Sequence, residues 1–202
     1  MTPYLRLFLA ILILFSASCS HTLKPVEYVH YVEDVKNGLH PIQEKQPYVF
    51  SLQYKPLDYV ALEELRQAEV SSEELKKEIK SFGAMQYFTF RISTTDSTKD
   101  ALKVNKASDK ESTERQNYFD FYIQRDLKLI EGSDTLPCRL CHCVRGNGLT
   151  PYNDFVLAFD HPKKVVNGDL TFIYEDKILK TGTVTFLIAQ SSINHIPQLK
   201  TD

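Results

Sequence analysis

Between residues 48 and 189 the chain returns again and again to one pattern: short runs of alternating apolar and polar residues, separated by turn formers. Successive side chains of a strand point to opposite faces, so alternation of period two predicts strands with one face in a core and the other toward water. Tyr48, Phe50, Leu52 and Tyr54 face one way and Val49, Ser51, Gln53 and Lys55 the other, until Pro56 stops the run. Asn153, Phe155, Leu157 and Phe159 oppose Asp154, Val156 and Ala158 in the same manner. Asn167-Gly168 leads into a run over 169–175, Asp176-Lys177 turns the chain, and a run over 179–189 closes the series. Phe119, Phe121, Ile123, Leu127 and Leu129 alternate with Asp120, Gln124, Asp126 and Lys128, which predicts the longest strand. Residues 85–93 are aromatic and β-branched on both faces, as a central strand covered on both sides would be. The expected fold is a mainly β, antiparallel sandwich or barrel-like domain. Its 11 Tyr and 12 Phe, with no Trp, suit that class.

One or two short helices interrupt the strands. Leu57, Val60, Ala61, Leu65 and Ala68 fall near one face at helical spacing. A second helix opens at Ser71, where Ser71-x-x-Glu74 forms a capping box, and Gly83 ends it. Residues 26–35 read as a first strand, and Asn37-Gly38 as the turn after it. Residues 94–116 are dominated by Ser, Thr, Asp, Lys and Glu, and read as a solvated surface loop with a short helix near 99–104.

The run 136–145, LPCRLCHCVR, offers the sharpest chemistry. Cys138-Arg139-Leu140-Cys141-His142 is a literal match to C-x-x-C-H, the haem c attachment pattern. Read as a strand in strict alternation, however, Cys138 and His142 face inward with Leu136, Leu140 and Val144. Cys141 and Cys143 then face outward with Arg139 and Arg145. That register sets Cys138 and Cys141 on opposite faces, ~10 Å apart, too far to share one haem. A disulfide is disfavoured by the same facing, although a bulge would make one feasible. A zinc site usually needs separated ligand pairs, and Cys141, His142 and Cys143 are consecutive, so no metal is expected.

The N-terminus carries one charge, Arg6, before nine apolar residues over 7–15, then Ser16, Ala17, Ser18 and Cys19. This is the layout of an export signal, and the apolar run is too short to span a bilayer. Ala17-Ser18-Cys19 resembles the lipobox of bacterial lipoproteins, with Ser16 where Leu is usual. That resemblance implies that residues 1–18 are a signal peptide and that Cys19 is lipidated as the new N-terminus. Residues 19–25 would then be a tether and 26–202 the folded domain. Ser20 after the cysteine, where Asp would favour the inner membrane, implies the outer membrane. The chain looks like lipoproteins of Bacteroidota-type envelopes.

Removing residues 1–18 from 202 leaves 184, enough for a core without disulfides or metal. The formal charge of −2 comes with no basic block, which argues against nucleic acid as a partner. There is no G-x-S-x-G, H-E-x-x-H or P-loop pattern, and nothing lifts Asp154, Asp160 or His161 above ordinary turn residues, so a binding protein is favoured over an enzyme. Three readings stand: a lipid-anchored binding or scaffolding protein whose partner is another envelope protein or a glycan, an exported c-type cytochrome using Cys138, Cys141 and His142, and a glycan-binding or glycan-processing accessory.

Overall fold

The computed structural model describes residues 22–66, 69–144, 150–161 and 166–202. The expected export signal, Cys19, Ala68, Arg145 and the turn expected at Gly146-Asn147-Gly148 lie outside them. The fold is mainly β. Eight antiparallel strands form one nearly closed, barrel-like sheet: β2 (Ile42–Lys45), β3 (Tyr48–Lys55), β4 (Met85–Thr94), β5 (Leu127–Glu131), β6 (Asp134–Val144), β7 (Asn153–Asp160), β8 (Leu170–Glu175) and β9 (Thr183–Ile188). Their spatial order is β2-β3-β4-β7-β6-β5-β8-β9. The two edges, β2 and β9, are clasped by Lys45, whose ammonium donates to Thr183 O at 2.6 Å and Thr181 O at 3.1 Å. A separate parallel pair joins β1 (Thr22–Leu23) to β10 (Gln198–Leu199).

Alternation of period two fills the barrel with aromatic rings. Phe50, Phe88, Phe90, Phe155, Phe159, Phe172 and Tyr174 are all buried. Phe90 on β4 meets Phe172 at 5.2 Å and Tyr174 at 5.4 Å between ring centroids, across the lumen from the strands that pair with it. β4 is central, as expected, but its burial alternates residue by residue, so only its inner face is fully packed.

The helices α2 (Leu57–Leu65) and α3 (Ser72–Ser81) sit between β3 and β4. Ser71 caps α3 as the capping box predicts: its hydroxyl accepts from Glu74 N and its own N–H donates to the Glu74 carboxylate. Gly38 ends the short turn after residue 37 at φ 75°, where a Cβ would meet Ser192 Oγ at 2.5 Å.

Three expectations are corrected. Residues 26–35 are not a strand: Pro25–Glu33 is a helix, α1, despite its valines and tyrosines. Pro25 stands in its first turn, the Lys24 N–H donates to the Glu27 carboxylate, and Tyr28 and Val32 are buried at i, i+4 spacing. Burial of that stripe outweighs β propensity. The polar segment 94–116 is not a solvated loop, because Ala101 and Leu102 are buried and Asp109–Phe121 is a helix, α4. Ser108 caps α4 by accepting from Glu111 N, and Arg115, Tyr118 and Phe119 form its buried stripe. The strand predicted from Phe119 to Leu129 is therefore mostly helix, and only 127–131 is extended. Phe121 is 72% exposed at the helix end. The fifth helix, α5 (Gln190–Asn194), follows β9.

Phe90→Ala empties the centre of the ring cluster and should lower stability by about 3–5 kcal/mol in urea denaturation. Phe121→Asp should change it by no more than about 0.5 kcal/mol; comparable losses for both would refute the placement of α4.

Candidate functional site

Because the lumen is filled with side chains, the concave sites lie outside it. The best built is a cleft of about 510 Å³ on the outer face of the β3-β4-β7 segment. Register sets its floor. Ser51, Arg91 and Asp154 stand in one row across the three strands, and Gln53 and Thr89 in the next. These are the positions that alternation directs away from the barrel core. Glu33 at the end of α1, His40, and Tyr59 and Glu63 of α2 provide the walls.

Both the lysine and the arginine charge of the cleft are paired with a carboxylate, and Glu33 is the one carboxylate among its lining residues that is held by a neutral donor. Arg91 and Asp154 form a two-pronged bond, Nε to Oδ1 at 2.6 Å and Nη2 to Oδ2 at 2.7 Å, and the guanidinium stacks 3.7 Å over the Tyr152 ring. The pairing with Asp154 raises the Arg91 pKa above its ordinary value. Lys55 Nζ reaches both oxygens of Glu63, at 2.9 and 3.0 Å. The Tyr59 hydroxyl donates to Glu33 Oε1 at 2.8 Å, and its pKa is raised first by burial and then by that bond. Gln53 Nε2 is fixed by Val32 O and Tyr54 O, both at 2.9 Å. His40 Nδ1 lies 3.2 Å from Glu33 O, which can only accept, so Nδ1 is the donor in that bond. Each carboxylate is thus already held by a donor. The cleft offers fixed donors and acceptors side by side, which suits binding polar groups more than proton transfer.

The cysteine run is corrected in its facing. β6 is a strand, but Cys138 pairs with Phe159 and Leu140 with Ala158, so Arg139 is an extra, bulged residue. The bulge turns Cys141 and Cys143 inward beside Cys138, all three packed against the core, while Leu140, His142 and Val144 are exposed. The predicted outward facing of Cys141 and Cys143 and the inward facing of His142 are both reversed. No turn residue marks the bulge, and a thiol serves as readily as a small apolar group in a core. None of the three is joined in a disulfide. Burial pushes Cys138 and Cys141 up to about 12. The arrangement does not fit haem attachment, since both thiols face the packed interior and His142 points to the opposite side of the sheet. Among the described residues no group of three or more His, Cys, Asp or Glu side chains is placed to hold a metal.

Of the remaining residues weighed from sequence, Asp154 is in the cleft and Asp160 is paired with Arg139 at 2.7 Å. His161 is buried, with no hydrogen-bond partner for Nε2 among the described residues. Glu33, His40, Lys55, Tyr59, Glu63 and Arg91 were not singled out by the sequence. Nothing short of the packing of α1 and α2 on the sheet brings them together. A second cavity, about 550 Å³, lies at the β2–β9 clasp and contains Arg115, 3% exposed. That guanidinium is engaged by Val104 O, the Tyr48 hydroxyl and Glu111, which makes it a latch for α4.

Comparison with protein-family models, with curated proteins and with solved structures finds no match to this chain.

Folded-state thiol pKa values near 12, against an ordinary 9, favour the protonated form in the native state. Their contribution to stability should be intact below pH 9 and lost as pH rises from 9 toward 12. Iodoacetamide at pH 8 should leave Cys138 and Cys141 unmodified in the native protein and alkylate both in urea. Rapid native labelling of Cys141 would restore the unbulged register.

Proposed function

We propose that the chain is a lipid-anchored envelope protein, held at the outer membrane through Cys19, whose barrel-like domain binds an uncharged, hydroxyl-rich ligand in the outer-face cleft. The observation that carries the binding reading is the pairing of charge in that cleft. Arg91 with Asp154 and Lys55 with Glu63 neutralise each other, and Glu33 is left over, so a phosphate or carboxylate would find no unpaired cation among the lining residues. Hydroxyl groups, which donate and accept, match such a surface, and the planar two-pronged Arg91–Asp154 unit presents both functions at fixed spacing. Glycans are the natural ligand class. The anchor reading rests on the apolar run 7–15 and Ala17-Ser18-Cys19. Two or more acyl chains, as lipoproteins carry, make such an anchor stable.

Cys19→Ala should abolish metabolic palmitate labelling and release the protein from the membrane fraction; unchanged labelling would remove the anchor from the proposal. A panel of neutral and acidic oligosaccharides, screened by calorimetry, should give binding for neutral members only. Arg91→Ala should weaken it by about tenfold or more, since a charge-assisted hydrogen bond contributes about 1.5–3 kcal/mol. Preference for acidic members would overturn the ligand class.

A further inference from the structure

An apolar groove of about 330 Å³ lies between α1 and α2, lined by Pro25, Val26, Val29, His30, Leu62 and Glu63. It adjoins the polar cleft, because Glu63 lines both. The helices explain why. Val26, Val29, His30 and Glu33 fall at i, i+3, i+4 and i+7, one face of α1, and that face is apolar at its start and polar at its end. Tyr59, Leu62 and Glu63 are the matching face of α2. The two hollows are consecutive segments of one trough, about 10 Å from Val26 to Glu33 at 1.5 Å per residue. Val26 is 60% exposed at the apolar end, an uncovered side chain at the mouth of an uncovered groove.

We propose that this trough takes a membrane amphiphile: an uncharged, hydroxyl-rich head in the cleft and an acyl chain between Val26, Val29 and Leu62. The inference rests on the cleft and anchor readings above and names their ligand more closely. Chain length selects the occupant. Pro25 is six residues from Cys19, a link of at most about 20 Å when fully extended. A lipid on Cys19 therefore keeps the start of α1, and with it the apolar end of the trough, at the bilayer surface. A glycolipid leaving that surface chain-last meets the groove with its hydrocarbon and the cleft with its head. The paired charges of the cleft select against an anionic head.

The test uses the full-length lipoprotein in phosphatidylcholine vesicles containing a trace of glucosyl diacylglycerol with a diazirine on one acyl chain. Phosphatidylglycerol and phosphatidylcholine bearing the same chain serve as comparison probes. After photolysis, mass spectrometry should place glucosyl-probe adducts on peptides containing Val26, Val29 or Leu62, about tenfold above the phosphatidylglycerol probe. Arg91→Ala should lower the glucosyl probe to the phosphatidylglycerol level, and Val26→Ser, at an exposed position that folding tolerates, should move adducts out of the groove. Equal labelling by all three probes, untouched by Arg91→Ala, would mean that the groove merely rests on the bilayer and would overturn the proposal. Protein–protein adducts at Val26 that fade on dilution would assign the groove to a second copy and overturn it too. Adducts absent from α1 and α2 while free neutral oligosaccharide still binds would overturn the amphiphile and leave the cleft reading standing.

Discussion

The contact of Phe90 with Phe172 and Tyr174 is the constraint on which the rest of the molecule depends. It joins β4 to β8, strands that are not neighbours in the sheet, and so makes the sheet curl. Phe50 and Phe155, on the strands flanking β4, add further faces at 6.2 and 6.0 Å. Each such pair contributes about 0.5–1.5 kcal/mol beyond the burial of its area. A barrel filled in this manner has a core in place of a channel. Lys45 then needs only to clasp the edges, since the interior already brings β2 and β9 together.

With the lumen filled, the polar cleft lies on the outer face of the sheet. The sheet alone would present that face as a flat, solvated surface, where ion pairs such as Arg91–Asp154 contribute little. Packing α1 and α2 against β3 turns the surface into a cleft. It also draws Lys55, Tyr59 and Gln53 out of bulk water, where their hydrogen bonds are strengthened by the lower local dielectric. The helices that give the site its walls also give it a polarity gradient, from Val26 to Glu33.

The sheet was legible because its information is local: alternation in 48–55, 153–159 and 169–175 needs only neighbouring residues to be read, and each of these is a strand. The capping box at Ser71 was legible for the same reason. α1 and α4 were not, because each depends on what it packs against. Val26–Val35 has the composition of a strand, and only the burial of Tyr28 and Val32 makes it a helix. In α4 the signal Ser108-x-x-Glu111 was present, but it lay inside a polar stretch whose apolar stripe consists of Arg115, Tyr118 and Phe119, and Arg115 does not read as a core residue. The Arg139 bulge reversed the facing of all five residues from Leu140 to Val144 from a single extra position, as any one-residue slip in a strand does. The cleft shares this limit: Asp154 was visible as a residue, whereas Arg91, Lys55 and Glu33 acquire meaning only from register and helix docking.

The parallel pair of β1 and β10 has a mechanical side. Thr22 and Leu23 are bonded to Gln198 and Leu199, and Lys200 N donates to Leu23 O at 2.7 Å. A pull on the chain ahead of Thr22 therefore reaches this short ladder before it reaches α1. α1 lies beyond the ladder and is shielded until the ladder yields. If the chain is anchored through Cys19 as proposed, the ladder takes the bilayer's pull first and keeps it from peeling the first helix off the sheet one turn at a time.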